Sequence, residues 1–342
     1  MMKEVYSVVS DESELKWFFD NVIQKPQVNE SYSMVFVCRH KKLTKEEKAA
    51  IGMSSKETEF LATQTLRLAK FHSATEIDNT TNWTFNKFLQ QIRRFEVNKE
   101  AYVTSEGNPL PDKSLVTIFY INPCDDIKVA RRLIQKLDET GDSIIKAMLN
   151  GKSLDDNLQS YQAYTNIESS VKHLKANCKG SNYWMDFDID VPNWFRRPEV
   201  SLMTYDYVSG NGLPAGTPLI TVAQCPKYYR QMIEKLDNRF GKGNYIIVST
   251  SGGYHILVRT HAIKSNPHDF CKEVEAIYKQ GVADGNQEYL DEKGVCKFEC
   301  IVNDSQIPGL PLPGTYQYGR PVKVLNKEDF IKPDEEKAED LL

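Results

Sequence analysis

The stretch Tyr183-Trp184-Met185-Asp186-Phe187-Asp188-Ile189-Asp190 alternates apolar residues with aspartates. Side chains along a strand point by turns to its two faces, so Asp186 and Asp188 share one face while Met185, Phe187 and Ile189 take the other. Two carboxylates about 7 Å apart on one face repel unless a positive charge lies between them. A hard divalent cation, Mg2+ or Mn2+, supplies that charge, because such ions prefer carboxylate oxygen and keep several waters. Asp190 has the same parity but precedes Val191-Pro192, where a strand readily ends. Taken alone, the pattern also describes a solvated strand end.

A second group follows about sixty residues on. Ser249-Thr250-Ser251-Gly252-Gly253-Tyr254-His255-Ile256-Leu257-Val258-Arg259 reads as a hairpin turning on Gly252-Gly253. Glycines expose backbone N–H groups to an anion, and Ser251 adds a hydroxyl donor. His255 lies two residues into the outgoing strand, where it can donate to a phosphate oxygen. A lone strand histidine is more often structural, so its weight comes from the turn beside it.

The elements that must carry these groups can be read from hydrophobic period. Met34 to Val37 and Leu115 to Ile121 are apolar runs of strand length. Ile127, Ala130, Ile134 and Leu137 repeat at helical spacing, with Asp125 or Asp126 as cap. Helical patterns also cover Glu57 to Phe71 and Thr84 to Phe95. The second of these carries Lys87, Arg93 and Arg94 on its polar face, which is more often a solvated surface than a phosphate contact. A helix from Asn166 leads to a turn at Lys179-Gly180-Ser181-Asn182. After it come a strand (Tyr183 to Asp190), a helix (Tyr228 to Phe240) and a hairpin (Tyr245 to Thr250, Tyr254 to Arg259). A helix opened by Asn266-Pro267 and a strand from Phe298 to Val302 complete the series. The order β-α-β-β-α-β is that of a split βαβ unit, a four-stranded sheet with two helices on one face.

Composition sets outer bounds. The 342 residues, 40% hydrophobic with both charge signs mixed, describe a folded protein of two domains or one large one. No window is apolar enough to cross a membrane as a helix, and the first residues lack a signal core, so a cytoplasmic protein is expected. Seven scattered cysteines suit reduced thiols. Cys296 and Cys300 read as buried thiols, and no structural zinc is expected. A net charge of −4 is not that of a chain gripping many phosphates, which predicts modest affinity for nucleic acid.

In their order, these motifs resemble those of archaeo-eukaryotic primases and the related primase-polymerases of phages and plasmids. That family has an apolar strand ending D-x-D/E, a serine-glycine turn leading to histidine, and a later strand ending in aspartate. Met185-Asp186-Phe187-Asp188 matches the first part and Ser249 to His255 the second. Phe298-Glu299-Cys300-Ile301-Val302-Asn303-Asp304 is the best place for the third, with Glu299 a rival to Asp304. Leu312-Pro313-Gly314-Thr315 resembles a segment found beyond the third aspartate. The match covers residues 183 to about 325. Two departures stand out: Ser305-Gln306-Ile307-Pro308 replaces an arginine-bearing stretch, and Gln317 stands where a histidine is usual.

The resemblance implies an α+β protein with a primase-like catalytic core. An N-terminal α/β unit would span 1–165, an RRM-like catalytic unit 166–330 and an acidic flexible tail 331–342. It implies a DNA primase or primase-polymerase: a magnesium- or manganese-dependent nucleotidyltransferase that makes or extends primers on single-stranded DNA during replication. Asp186, Asp188 and Asp304 would hold two metal ions. Ser251, Gly253 and His255, with Arg320 and Lys323 in place of the missing arginines, would bind the nucleotide. Its partners would be template DNA, NTP or dNTP, and a helicase or single-strand-binding protein, since no P-loop is present. Three alternatives remain open at this point. A nuclease or a nucleotide cyclase uses similar carboxylates, and a non-enzymatic RRM-type binding sheet has the same topology.

Overall fold

The structure, a computed structural model, describes residues 7–27, 29–38, 68–72, 83–96, 115–151, 174–178, 183–191, 227–285, 290, 294–295 and 298–331. The expected helix from Asn166, the turn at 179–182, Cys296 and the tail beyond Ile331 lie outside them. So does the first part, 57–67, of the helix expected at Glu57 to Phe71.

The described residues form an α+β fold of two antiparallel sheets and five helices. In the first sheet β1 (Glu30–Cys38) is central, flanked by β2 (Leu68–His72) and β3 (Leu115–Tyr120). The sequence reading gave Leu68 to Phe71 to a helix. The structure corrects this, because the segment is a strand whose backbone pairs with Ser31 to Val35. Helices α1 (Glu12–Asn21) and α2 (Phe85–Arg93) supply the apolar cover. Asp11 caps α1 by accepting from Ser13 and Glu14 N–H, and Thr84 caps α2. Phe18 and Phe88 from these helices pack with Tyr32, Met34 and Phe119 of the sheet in one buried core. Short strand β4 (Cys124–Asp125) leads into α3 (Asp126–Leu149).

In the second sheet the strands β5 (Trp184–Asp190), β6 (Tyr245–Ser249), β7 (Gly253–Arg259) and β8 (Glu299–Val302) lie in the order β6-β7-β5-β8. Helix α4 (Lys227–Phe240) connects β5 towards β6, and α5 (Pro267–Ala283) connects β7 towards β8. Asn266 caps α5 and Pro267 opens it, as the sequence predicts. Met185, Phe187, Ile189, Tyr254, Ile256 and Val258 pack against both helices in a second core. The opposite face of this sheet points to the first one: Trp184, Ile246, Val248 and Leu257 belong to the core of α1, α2 and the first sheet.

The last described segment stitches the two sheets together. Strands β9 (Gly309–Pro311), β10 (Tyr316–Gln317) and β11 (Arg320–Pro321) join the first sheet, whereas β12 (Lys323–Val324) pairs with β6 in the second. Residues 309–321 therefore return to the sheet built otherwise from the first 125 residues, and the sheets do not divide at 165. Gly314 makes this return close: its φ is +83°, and a Cβ there would come 2.5 Å from the backbone nitrogen of Leu15. Its carbonyl accepts from Ser10 and Asp11 N–H. Glu14, wholly buried, accepts from Val324 N–H at 2.8 Å and pairs with Lys327, fastening α1 to β12. Among the described residues no helix is long and apolar enough to cross a membrane.

A candidate carboxylate–histidine site

Alternation along β5 does what the sequence requires. With Met185, Phe187 and Ile189 on the helices, Trp184, Asp186 and Asp188 face the other way. Register then chooses their neighbours, since Asp188 lies directly opposite His255 on β7 and Asp186 opposite Leu257. His255 is thus across from one aspartate and diagonal to the other, within side-chain reach of both. Exposure rises along the strand: Asp186 is 7% exposed, whereas the Asp188 side chain is 54% exposed.

Nδ1 of His255 lies 2.7 Å from Oδ2 of Asp186, and its Nε2 lies 3.6 Å from Oδ1 of Asp188. Burial alone would lower the imidazole pKa. The charges of Asp186 and Asp188, with the Asp186 hydrogen bond and then Asp190, outweigh it and lift the value to about 9. At neutral pH the ring is an imidazolium donating to Asp186, the positive charge that two facing carboxylates demand. Oδ1 of Asp186 stays buried without a hydrogen-bond partner. Buried acceptors are seldom left so, and the oxygen is a natural point of attachment for a cation.

The raised value has a measurable consequence. The folded pKa lies above the unfolded value near 6.5, so this cluster's contribution is complete below about pH 6.5 and is lost as pH rises through about 9. In the presence of chelator, wild-type stability is expected to fall by a few kcal/mol over that window, and the His255→Gln variant to fall less. Parallel declines in urea midpoint for the two proteins would refute the pairing.

The glycine turn is held by its neighbours. Thr250 N–H donates to Gly253 carbonyl and Val191 N–H to Gly252 carbonyl, both at 2.9 Å. Gly253 was read as a source of an exposed N–H for nucleotide, and the structure adds a packing reason. A Cβ at this position would lie 1.8 Å from the carbonyl oxygen of Ile189, so only glycine lets β7 begin so close to β5. Ser251 N–H donates to Oε1 of Gln317 at 2.6 Å, and the Ser251 hydroxyl is buried with no partner. Gln317 thus clamps the turn from the first sheet.

The remaining expected site residues are not all gathered here. Asp304 is not brought to Asp186 and Asp188. Its Oδ2 lies 3.8 Å from Nε2 of His268, in the first turn of α5, the helix covering the opposite face of the sheet. The cause is local: Asn303 Oδ1 accepts from the N–H of Ser305 and Gln306, turning the chain as soon as β8 ends. Glu299, the rival, is exposed on β8 directly across from Asp190, on the face shared by Asp188. Lys323 is not presented to the site either, since it is buried with Nζ 3.6 Å from Asp11. Burial lowers its pKa, opposed by Glu14 and Asp11. Arg320 is exposed on β11, opposite Gln317.

Two supporting residues escaped the sequence reading. Asn122 is buried and grips the first residue of β5 from both sides, donating to Trp184 carbonyl at 2.7 Å and accepting its N–H at 2.8 Å. The only signal was an asparagine before proline at the end of a strand, which reads as a turn. Arg259 lies on the same face as His255, its guanidinium 5.8 Å from the Trp184 ring and 4.9 Å from that of Phe330.

Among the described residues no group of three or more His, Cys, Asp or Glu is arranged to hold a metal ion. No family model matches the chain, and neither a curated protein nor a solved structure does.

Proposed function

We propose that this protein is a template-directed nucleotidyltransferase of the archaeo-eukaryotic primase type, a DNA primase or primase-polymerase acting on single-stranded DNA. The observation that carries the reading is convergence. Asp186 and Asp188 on one strand meet His255 on a hairpin strand some sixty residues later, and Ser251 lies in the turn that opens that strand. The strand order supports it, because β6-β7-β5-β8 with α4 and α5 on one face is the split βαβ arrangement. The RRM-like unit is therefore part of the proposal.

The residues fit divalent cations in one respect that can be tested. The unpartnered Oδ1 of Asp186 and the open carboxylate of Asp188 are hard oxygen donors. Glu299, which shares their face opposite Asp190, is in this reading the candidate for a third carboxylate that would have to be drawn in by the ion. Bound Mg2+ or Mn2+ would supply an acidified attacking hydroxyl and charge stabilisation at phosphorus. The chain's own groups do the positioning. Ser251, its hydroxyl unspent, donates to a triphosphate oxygen. His255 is charged and already poised to exchange one anionic oxygen, that of Asp186, for another on the nucleotide. Gln317 holds the turn in place for both. Base pairing with template selects the nucleotide, so the modest net charge is no obstacle.

Product analysis tests the assignment. Incubated with single-stranded DNA, mixed NTP and dNTP, and Mg2+ or Mn2+, the protein is expected to lengthen primers or begin new ones with release of pyrophosphate. Shortened DNA would make it a nuclease, a cyclic nucleotide a cyclase, and metal-independent binding without turnover a binding module. Each of those results would overturn the proposal.

A further inference from the structure

Helix α3 has an apolar face that no described residue buries. Its start is fastened. Asp125 Oδ1 accepts from Ile127 and Lys128 N–H, Ser31 donates to Asp126 at 2.6 Å, and Lys128 Nζ donates to Cys178 carbonyl at 3.0 Å. Further along, side-chain bonds among the described residues run within the helix. Gln135 and Lys136 donate to Glu139, Thr140 to Lys136 carbonyl and Ser143 to Glu139 carbonyl. From Asp126 to Leu149 Val129, Leu133 and Leu137 are half-buried, whereas Ile127, Ala130, Ile134 and Met148 are exposed.

A helix of 24 residues, about 36 Å long, draws most of its stability from covering one face. This one is not polar all round. Ile127, Ala130, Ile134, Gly141 and Met148 recur at heptad spacing, with Ile134 60% and Ile127 45% exposed. Charge is divided along its length. Lys128, Arg131, Arg132 and Lys136 outweigh Asp126 in the first half, and Asp138, Glu139 and Asp142 outweigh Lys146 in the second.

That division selects the occupant. Parallel pairing of two such helices sets like charges together, whereas antiparallel pairing sets basic against acidic halves. Arg131 and Asp138 are seven residues apart and flank the apolar stripe on the same side. A two-fold axis near Ile134 therefore brings Arg131 of each copy to Asp138 of the other and places the most exposed isoleucine of the stripe at the crossing. We propose that α3 is the interface of an antiparallel homodimer. The proposal is independent of the chemistry assigned above.

Sedimentation of the full chain at several concentrations tests it. A concentration-dependent dimer is expected, and Ile134→Asp should raise its dissociation constant at least about tenfold, as for a central apolar anchor, without changing helix content. Arg131→Glu alone and Asp138→Arg alone should each weaken the dimer, and the two together should restore it. A chain monomeric at every concentration overturns the proposal. So does a dimer indifferent to Ile134→Asp, or a charge reversal that fails to rescue. A monomer destabilised by Ile134→Asp would show that the stripe is covered by its own chain, which also overturns it.

Discussion

Replacing Asp186 with asparagine is expected to lower nucleotide incorporation at least about a thousandfold while leaving the fold intact. The magnitude follows from the several kcal/mol by which bound divalent ions stabilise a transferring phosphoryl group. Asparagine keeps an oxygen that can accept from His255, so the contact at 2.7 Å survives in altered form and the sheet keeps its register. What it removes is charge, and with it both the attraction for cations and most of the reason His255 is protonated. Steady-state incorporation by wild type and variant at saturating Mg2+ decides the matter. A variant retaining more than a tenth of the rate would remove Asp186 from the chemistry, provided both unfold at similar urea concentrations.

The second large effect is on stability, at Gly253. An alanine Cβ would stand 1.8 Å from the carbonyl oxygen of Ile189, a backbone atom inside a paired strand that cannot swing aside as a flexible side chain would. β7 would have to move from β5, breaking the register that sets His255 against Asp188. Overpacking in cores costs about 1–3 kcal/mol where neighbours can adjust, and this site is expected at or above the upper end. Activity should fall with stability, because the same movement opens the site. Equilibrium denaturation of Gly253→Ala with a midpoint equal to that of wild type would contradict the close approach.

Much of this arrangement was legible in the sequence, for identifiable reasons. β5 reads clearly because one of its faces is apolar and the other acidic, which leaves a single register compatible with burial. The hairpin is legible from Gly252-Gly253, and α5 from Asn266-Pro267. What escaped is what carries no period. β9, β10, β11 and β12 are two or three residues long, so nothing in their sequence says that they divide between two sheets. Leu68 to His72 is no more apolar as a strand than as the end of a helix, and pairing with β1 decides it. Asp304 was misplaced because the turn chemistry of Asn303 and Ser305 ends β8 before the aspartate can point along it. α3 was found by its spacing. Spacing alone does not say what its apolar positions meet, and the structure leaves Ile127 and Ile134 exposed.

His255 joins the legible and the hidden parts. Sequence places a histidine beside a glycine turn, but only register shows it spanning two aspartates, where it supplies the positive charge in place of a metal. Cation and proton must therefore compete for the Asp186 carboxylate. The most direct measurement is titration of Mn2+ into the full chain, following the paramagnetic resonance of the free ion, for wild type and for Asp186→Asn. Wild type should bind Mn2+ at neutral pH and the variant at least about tenfold more weakly, since even outer partners of metal ligands cost that much. Equal binding by the two, or none by wild type at millimolar Mn2+, would contradict the account.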